Sequence, residues 1–132
     1  DFKSPVRVGG GTIFGPVPRD YSFKLNKKVK QLARRSALAT RAQANQIIVL
    51  DDLNFDAPKT KAMVEVLNAL KVADKKVLFV LNEVNYNVLK SAANIQRTNV
   101  TTAAELNTYA IMNANTVVFV EDAVKTIENI LA

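Results

Sequence analysis

Residues 77–81 read Val-Leu-Phe-Val-Leu, five apolar residues in a row closed by Asn82 and Glu83. A run this short, without polar alternation and rich in β-branched and aromatic side chains, predicts a strand covered on both faces. Ile47-Ile48-Val49-Leu50, closed by Asp51 and Asp52, predicts a second such strand. Residues 116–120, Thr-Val-Val-Phe-Val, predict a third, and residues 98–101 a short fourth. Between them the apolar spacing changes to a helical period. A helix is expected at about 57–71, opened by Asp56 and Pro58, with Met63, Val66, Leu67 and Leu70 as its apolar stripe. Others are expected at 85–94, 104–113 and 122–131, the last burying Val124, Ile127, Ile130 and Leu131. Strands alternating with helices predict an α/β fold: three layers, α/β/α, around a small, mainly parallel sheet. So few strong strands would be better served by another from outside this sequence.

Upstream, residues 25–44 predict a further helix with Asn26 as its N-cap. Leu25, Val29, Leu32, Ala33, Ser36 and Ala37 share one face, and Lys24, Lys27, Lys28, Gln31, Arg34, Arg35 and Arg41 occupy the rest. Residues 1–23 hold all four glycines, Gly9, Gly10, Gly11 and Gly15, and three of the four prolines. They are expected to form an irregular basic arm, with residues 24–132 as a single globular domain.

The 132 residues fit one domain able to bury a core. Without Cys there is neither a disulfide nor a thiolate metal site, and without His the commonest metal ligand and neutral-pH base are both missing. No apolar run reaches the length of a membrane helix. The first residue is Asp1, not Met, and we read the chain as a trimmed product or a fragment.

Charge is divided unevenly. Up to residue 45, ten bases against two acids give +8; eight bases against ten acids give −2 over the rest, which together make the net +6. A polyanion would therefore meet the first third of the chain, and the remainder reads as a neutral folded body.

Residues 10–15 satisfy G-x-x-x-x-G, but Pro16 and Val17 stand where a phosphate loop needs Lys and Ser or Thr, and Phe14 replaces the third glycine of a dinucleotide pattern. The glycines read instead as a flexible turn, or as bare backbone that lets Arg7 and Arg19 approach another polymer closely. Phe14 and Tyr21 could stack on bases or pack on the body; Phe23 is expected to pack. Asp51, Asp52, Asn82, Glu83, Glu121 and Asp122 follow strands, where ligands of open α/β sheets bind. There they could serve a small nucleotide-binding or enzymatic domain, although such acids more often cap turns and helices. A third option is a protein-binding module whose arm folds on its partner.

The string from Gly9 through Gly10, Gly11, Thr12, Ile13, Phe14, Gly15, Pro16, Val17, Pro18, Arg19 and Asp20 to Tyr21, followed by Lys24-Leu25-Asn26-Lys27-Lys28, resembles large-subunit ribosomal protein four. So do Leu32-Ala33-Arg34-Arg35-Ser36-Ala37-Leu38, Ala57-Pro58-Lys59-Thr60-Lys61, Ala104-Glu105-Leu106-Asn107-Thr108-Tyr109 and Val117-Val118-Phe119-Val120-Glu121-Asp122-Ala123, in the family's order and across essentially the whole chain. The resemblance implies a three-layer α/β/α domain, binding to large-subunit rRNA, a part in early subunit assembly, and a loop reaching toward the nascent-peptide tunnel. It also implies that an N-terminal part and most of that loop lie outside this sequence, and that the type is bacterial or organellar.

The expectation is a structural, non-enzymatic ribosomal protein in the cytoplasm, bound to rRNA beside neighbouring ribosomal proteins. It would be monomeric off the ribosome, have no membrane association and need neither cofactor nor metal. Phosphate contacts are expected from Arg7, Arg19, Lys24, Lys27, Lys28, Arg34, Arg35 and Arg41, close approach at Gly9, Gly10 and Gly11, and stacking at Phe14 and Tyr21.

Overall fold

The computed structural model describes residues 2–132. In chain order the elements are α1 (Lys27–Gln43), β1 (Ile47–Leu50), α2 (Thr60–Ala69), β2 (Val77–Leu81), α3 (Tyr86–Ala93), β3 (Thr98–Thr102), α4 (Thr108–Asn113), β4 (Thr116–Val120) and α5 (Glu121–Leu131). The strands form one parallel sheet in the order β1-β4-β2-β3. One face packs α1, α4 and α5 over Leu78, Val80, Val117 and Phe119. The other packs α2 and α3 over Val77, Phe79, Leu81, Val118 and Val120. This is the expected three-layer α/β/α arrangement.

Position in the sheet explains the strand sequences. β2 and β4 are central and every residue in them is buried, so both read as unbroken apolar runs. β1 departs from expectation: it is an edge strand paired only with β4, and Val49 is 57% exposed. Four successive apolar residues looked covered on both faces, but an edge strand lacks a neighbour on one side. β3 is the opposite edge, which accommodates its polar Thr-Asn-Val-Thr-Thr.

Helix starts differ where long-range bonds intervene. α2 begins at Thr60, not near residue 57, because the Lys59 amide donates to the Ser91 hydroxyl of α3 at 3.0 Å, leaving Lys59 extended as the N-cap. α4 is shorter than expected and begins at Thr108, capped by the Asn107 carboxamide, which accepts from the Ala110 amide at 2.8 Å. Asn85 caps α3 in the same way, accepting from the Asn87 and Val88 amides. Asn26 occupies the N-cap of α1 as expected, but its side chain makes no capping bond.

The predicted inner face of α1 divides along its length. Ala37 is buried, whereas Leu25, Val29 and Leu32 are exposed, Leu32 by 62%. Leu25, Val29 and Ala33 line an open groove of about 540 Å³ with Leu106 at the start of α4.

Candidate nucleic-acid interface

Every strand runs the same way, so α1 descends from the C-terminal edge of the sheet, where the arm joins it, to the N-terminal edge. Its 17 residues span about 25 Å. Lys27, Lys28 and Arg35 are exposed along it, and Arg34 is half-buried at the wall of the apolar groove. Lys30, not singled out from the sequence, is also exposed on this helix. The only ion pairs among the described residues join Lys125 to Glu121 at 3.4 Å and to Asp122 at 3.5 Å, within α5. Those partners raise the Lys125 ammonium above its usual range, chiefly through the hydrogen bond to Glu121. Among the described residues, Arg7, Arg19 and the α1 cations form no ion pair with a carboxylate of residues 24–132.

Arg41 is the exception among the expected contacts. Its Nε donates to the backbone oxygen of Ile111 at 3.1 Å, one Nη to Gln46 Oε1 at 2.6 Å, and the other to the backbone oxygen of Met112. These bonds satisfy the end of α4 and tie it to α1, giving Arg41 a structural task that its position in a basic helix did not reveal.

The arm has local order without helix or strand. The Arg7 amide donates to the Ser4 oxygen, the Gly10 amide to the Arg7 oxygen, and the Gly11 amide to the Lys3 oxygen at 2.8 Å. This turn itself demands glycine at Gly10, where an added Cβ would lie 1.8 Å from the Ser4 oxygen. Gly9, at φ +74°, uses backbone freedom that side chains rarely allow. Further on, the Asp20 carboxylate accepts from the Ser22 hydroxyl at 2.6 Å and the Ser22 amide at 2.8 Å. Those bonds hold Asp20 below the ordinary aspartate range, the hydroxyl contributing most.

The arm's aromatics face outward. Phe14 and Tyr21 are exposed, and so is Phe23, at 83%, against the expectation that it would pack on the body. The groove beside Leu25 stays open, so the body supplies no closed apolar pocket for the ring. The Arg19 guanidinium lies 4.4 Å from the Tyr21 ring centroid and that of Arg7 lies 5.5 Å from Phe2, so two cations are held over aromatic faces.

The strand-end residues do not assemble into a reactive centre. Asp51, Asp52, Glu83, Glu121 and Asp122 are exposed, and Asn82 accepts from the Thr126 hydroxyl. Among the described residues no three His, Cys, Asp or Glu side chains stand close enough to hold a metal ion. Nor is any helix among them long and apolar enough to cross a membrane.

The chain is 60% identical over 131 residues to the large ribosomal subunit protein uL4 of Bacteroides fragilis (strain YCH46), covering 99% of this chain and 63% of that protein. It is 59% identical over 132 residues to the protein of that name from Phocaeicola vulgatus, covering all of this chain and 64% of the relative. With the protein of that name from Flavobacterium johnsoniae it shares 52% over 130 residues, 98% of this chain and 62% of the relative. The chain thus spans a little under two-thirds of the length of these bacterial relatives. The model of the Ribosomal protein L4/L1 family matches residues 1–130, and this chain belongs to that family.

Proposed function

We propose that this chain is a structural component of the large ribosomal subunit that binds its rRNA through the arm and the basic face of α1. The observation that carries the reading is the set of exposed cations, Arg7, Arg19, Lys24, Lys27, Lys28 and Arg35, none ion-paired to the domain's acids. A solvated face of mixed charge would show the i,i+4 pairs seen at Lys125; α1 has no acid at all. Cations without internal partners release counterions when they meet phosphates, and that release drives association.

The roles divide along the chain. Arg7 and Arg19 act from the arm, with Phe14 and Tyr21 offering ring faces to unpaired bases. Gly9, Gly10 and Gly11 keep the turn narrow enough for backbone to approach backbone. Lys24, Lys27, Lys28, Arg34 and Arg35 follow the phosphates along α1, and Arg41 anchors the foot of that helix. Affinity then comes from charge and shape with little base readout. The protein would act in the cytoplasmic ribosome, beside rRNA and neighbouring ribosomal proteins, and as a monomer away from it. Support for subunit assembly follows from tying RNA segments to a rigid body. No catalytic role is assigned, since the relatives are named as ribosomal subunit proteins.

A mobility-shift assay with large-subunit rRNA fragments tests this reading. Changing Lys27, Lys28, Arg34 and Arg35 together to Ala is expected to weaken binding by roughly tenfold or more. Unchanged affinity would reject it.

A further inference from the structure

Sequence counting makes the body nearly neutral, but the fold sorts its charges. The three connections that run from α2, α3 and α4 into strands lie at the N-terminal edge of the sheet, and they carry Lys71, Lys75, Lys76 and Arg97 against Asp74 alone. The opposite edge carries Asp51, Asp52, Asp56, Glu83 and Glu105, joined by Glu121 and Asp122 at the start of α5, against Lys59. The body is therefore polarised, with its cationic edge at the far end of α1 from the arm.

Two of those cations occupy positions that disfavour them. Lys71 (φ 60°), directly after the Leu70 cap of α2, and Arg97 (φ 63°), in the turn that enters β3, both adopt the left-handed conformation, where glycine is the relaxed choice. Left-handed backbone at a side-chain-bearing residue costs stability and is retained where the side chain has a use. Helix-dipole complementation accounts for a cation next to a helix end, but it fades within a turn. Lys75 and Lys76 lie five and six residues beyond the Leu70 cap, out of its reach. All four are exposed and none is ion-paired among the described residues.

A cleft opens from that edge and runs along β3 and α4. Parallel register places Lys76 beside Arg97, since Val77 pairs with Thr98 and the Val77 amide donates to the Arg97 oxygen at 2.9 Å. Together with Asn99, Thr101, Asn113 and Tyr109 they line this cleft of about 280 Å³ between β3 and α4. Tyr109 is 79% exposed at its rim. Two cations, amides and a hydroxyl around an uncovered aromatic ring suit a phosphate with its attached nucleoside.

We propose that the N-terminal edge of the sheet, with the cleft that leads from it toward the start of α4, is a second RNA-docking surface, in which Lys71, Lys75, Lys76 and Arg97 hold a phosphate backbone and Tyr109 stacks a base. This rests on the rRNA-binding reading above and extends it. The arm and this edge lie at opposite ends of α1, so one protein joins two RNA segments about 25 Å apart.

The test combines Lys71→Gly, Lys75→Gln, Lys76→Gln and Arg97→Gly in the 132-residue protein, assayed against the same rRNA fragments. Glycine relieves the left-handed backbone, so the melting temperature is expected to hold or rise, whereas helix-end charges kept for stability alone would make it fall. RNA affinity is expected to drop roughly tenfold or more, with a salt slope shallower by about 3. Parent-level affinity, while the α1 alanine variant still weakens binding, overturns this surface and leaves the arm reading standing; that result would follow if the edge served an acidic protein instead. If both variants bind like the parent, the rRNA reading fails and takes this one with it. Should the four-site variant fold poorly, Lys75→Gln with Lys76→Gln and Tyr109→Leu avoids both turns. Roughly fivefold weaker binding is expected of it, and parent-level affinity again overturns the proposal.

Discussion

The Nε of Arg41 donates to the backbone oxygen of Ile111 at 3.1 Å, fastening the last turn of α1 to the end of α4 across seventy residues of sequence. Bonds to Gln46 and to the Met112 oxygen complete the anchor. Arg41→Ala removes all three and leaves the part-buried Ile111 carbonyl without its charged donor. A loss of about 1–3 kcal/mol is expected by urea denaturation. Arg35→Ala, at an exposed site on the same helix, should stay within about 0.5 kcal/mol of the parent. Equal effects would deny Arg41 its anchoring role.

Ser91 is nearly fully buried, donates from Oγ to the Asn87 oxygen at 2.6 Å, and accepts from the Lys59 amide at 3.0 Å. It thereby sets where α2 starts. Ser91→Ala changes little volume but strands that amide, and it is expected to cost about 1–3 kcal/mol with faster hydrogen exchange at Lys59. Protection at Lys59 that survives the substitution would show the bond to be dispensable.

Burial within the sheet predicts unequal responses to the same deletion. Val118, on central β4, is 1% exposed, whereas Val49, on edge β1, is more than half exposed. Val118→Ala is expected to cost about 2 kcal/mol or more, and Val49→Ala well under 1 kcal/mol, by thermal or chemical denaturation.

Acid should loosen the arm at one point. Bonds from Ser22 favour the charged Asp20 carboxylate and lower its pKa, so they contribute fully above the ordinary aspartate range. That contribution is lost as pH falls through the depressed value. A carboxyl titration followed by NMR is expected to place Asp20 below an unstructured aspartate and to move the Ser22 amide in step. Ser22→Ala should restore the ordinary midpoint, and a midpoint already ordinary in the parent would contradict the turn.

Much of this was legible from residues 47–50, 77–81 and 116–120, because central parallel strands must be apolar on both faces. The same logic over-read β1: Ile-Ile-Val-Leu records apolarity but not the number of strand neighbours. Likewise the stripe Leu25, Val29 and Leu32 was visible, while what lies against it is not encoded in its spacing. Helix starts at Thr60 and Thr108 escaped because a Ser91 hydroxyl from another helix and an Asn107 carboxamide decide them, rather than Asp56 and Pro58. The cationic arm and α1 stood out because their ten bases fall in one stretch of sequence with only two acids. Lys71, Lys75, Lys76 and Arg97 did not, since only the sheet gathers them on one edge and parts them from the acids that cancel them in a running count.

Phosphate neutralisation is the physical claim beneath the functional reading, and the dependence of rRNA affinity on salt measures it directly. Between about 50 and 300 mM monovalent salt, the logarithm of the association constant should fall linearly against the logarithm of salt, with a slope of roughly −4 or steeper. A slope near zero, with binding retained, would contradict the account.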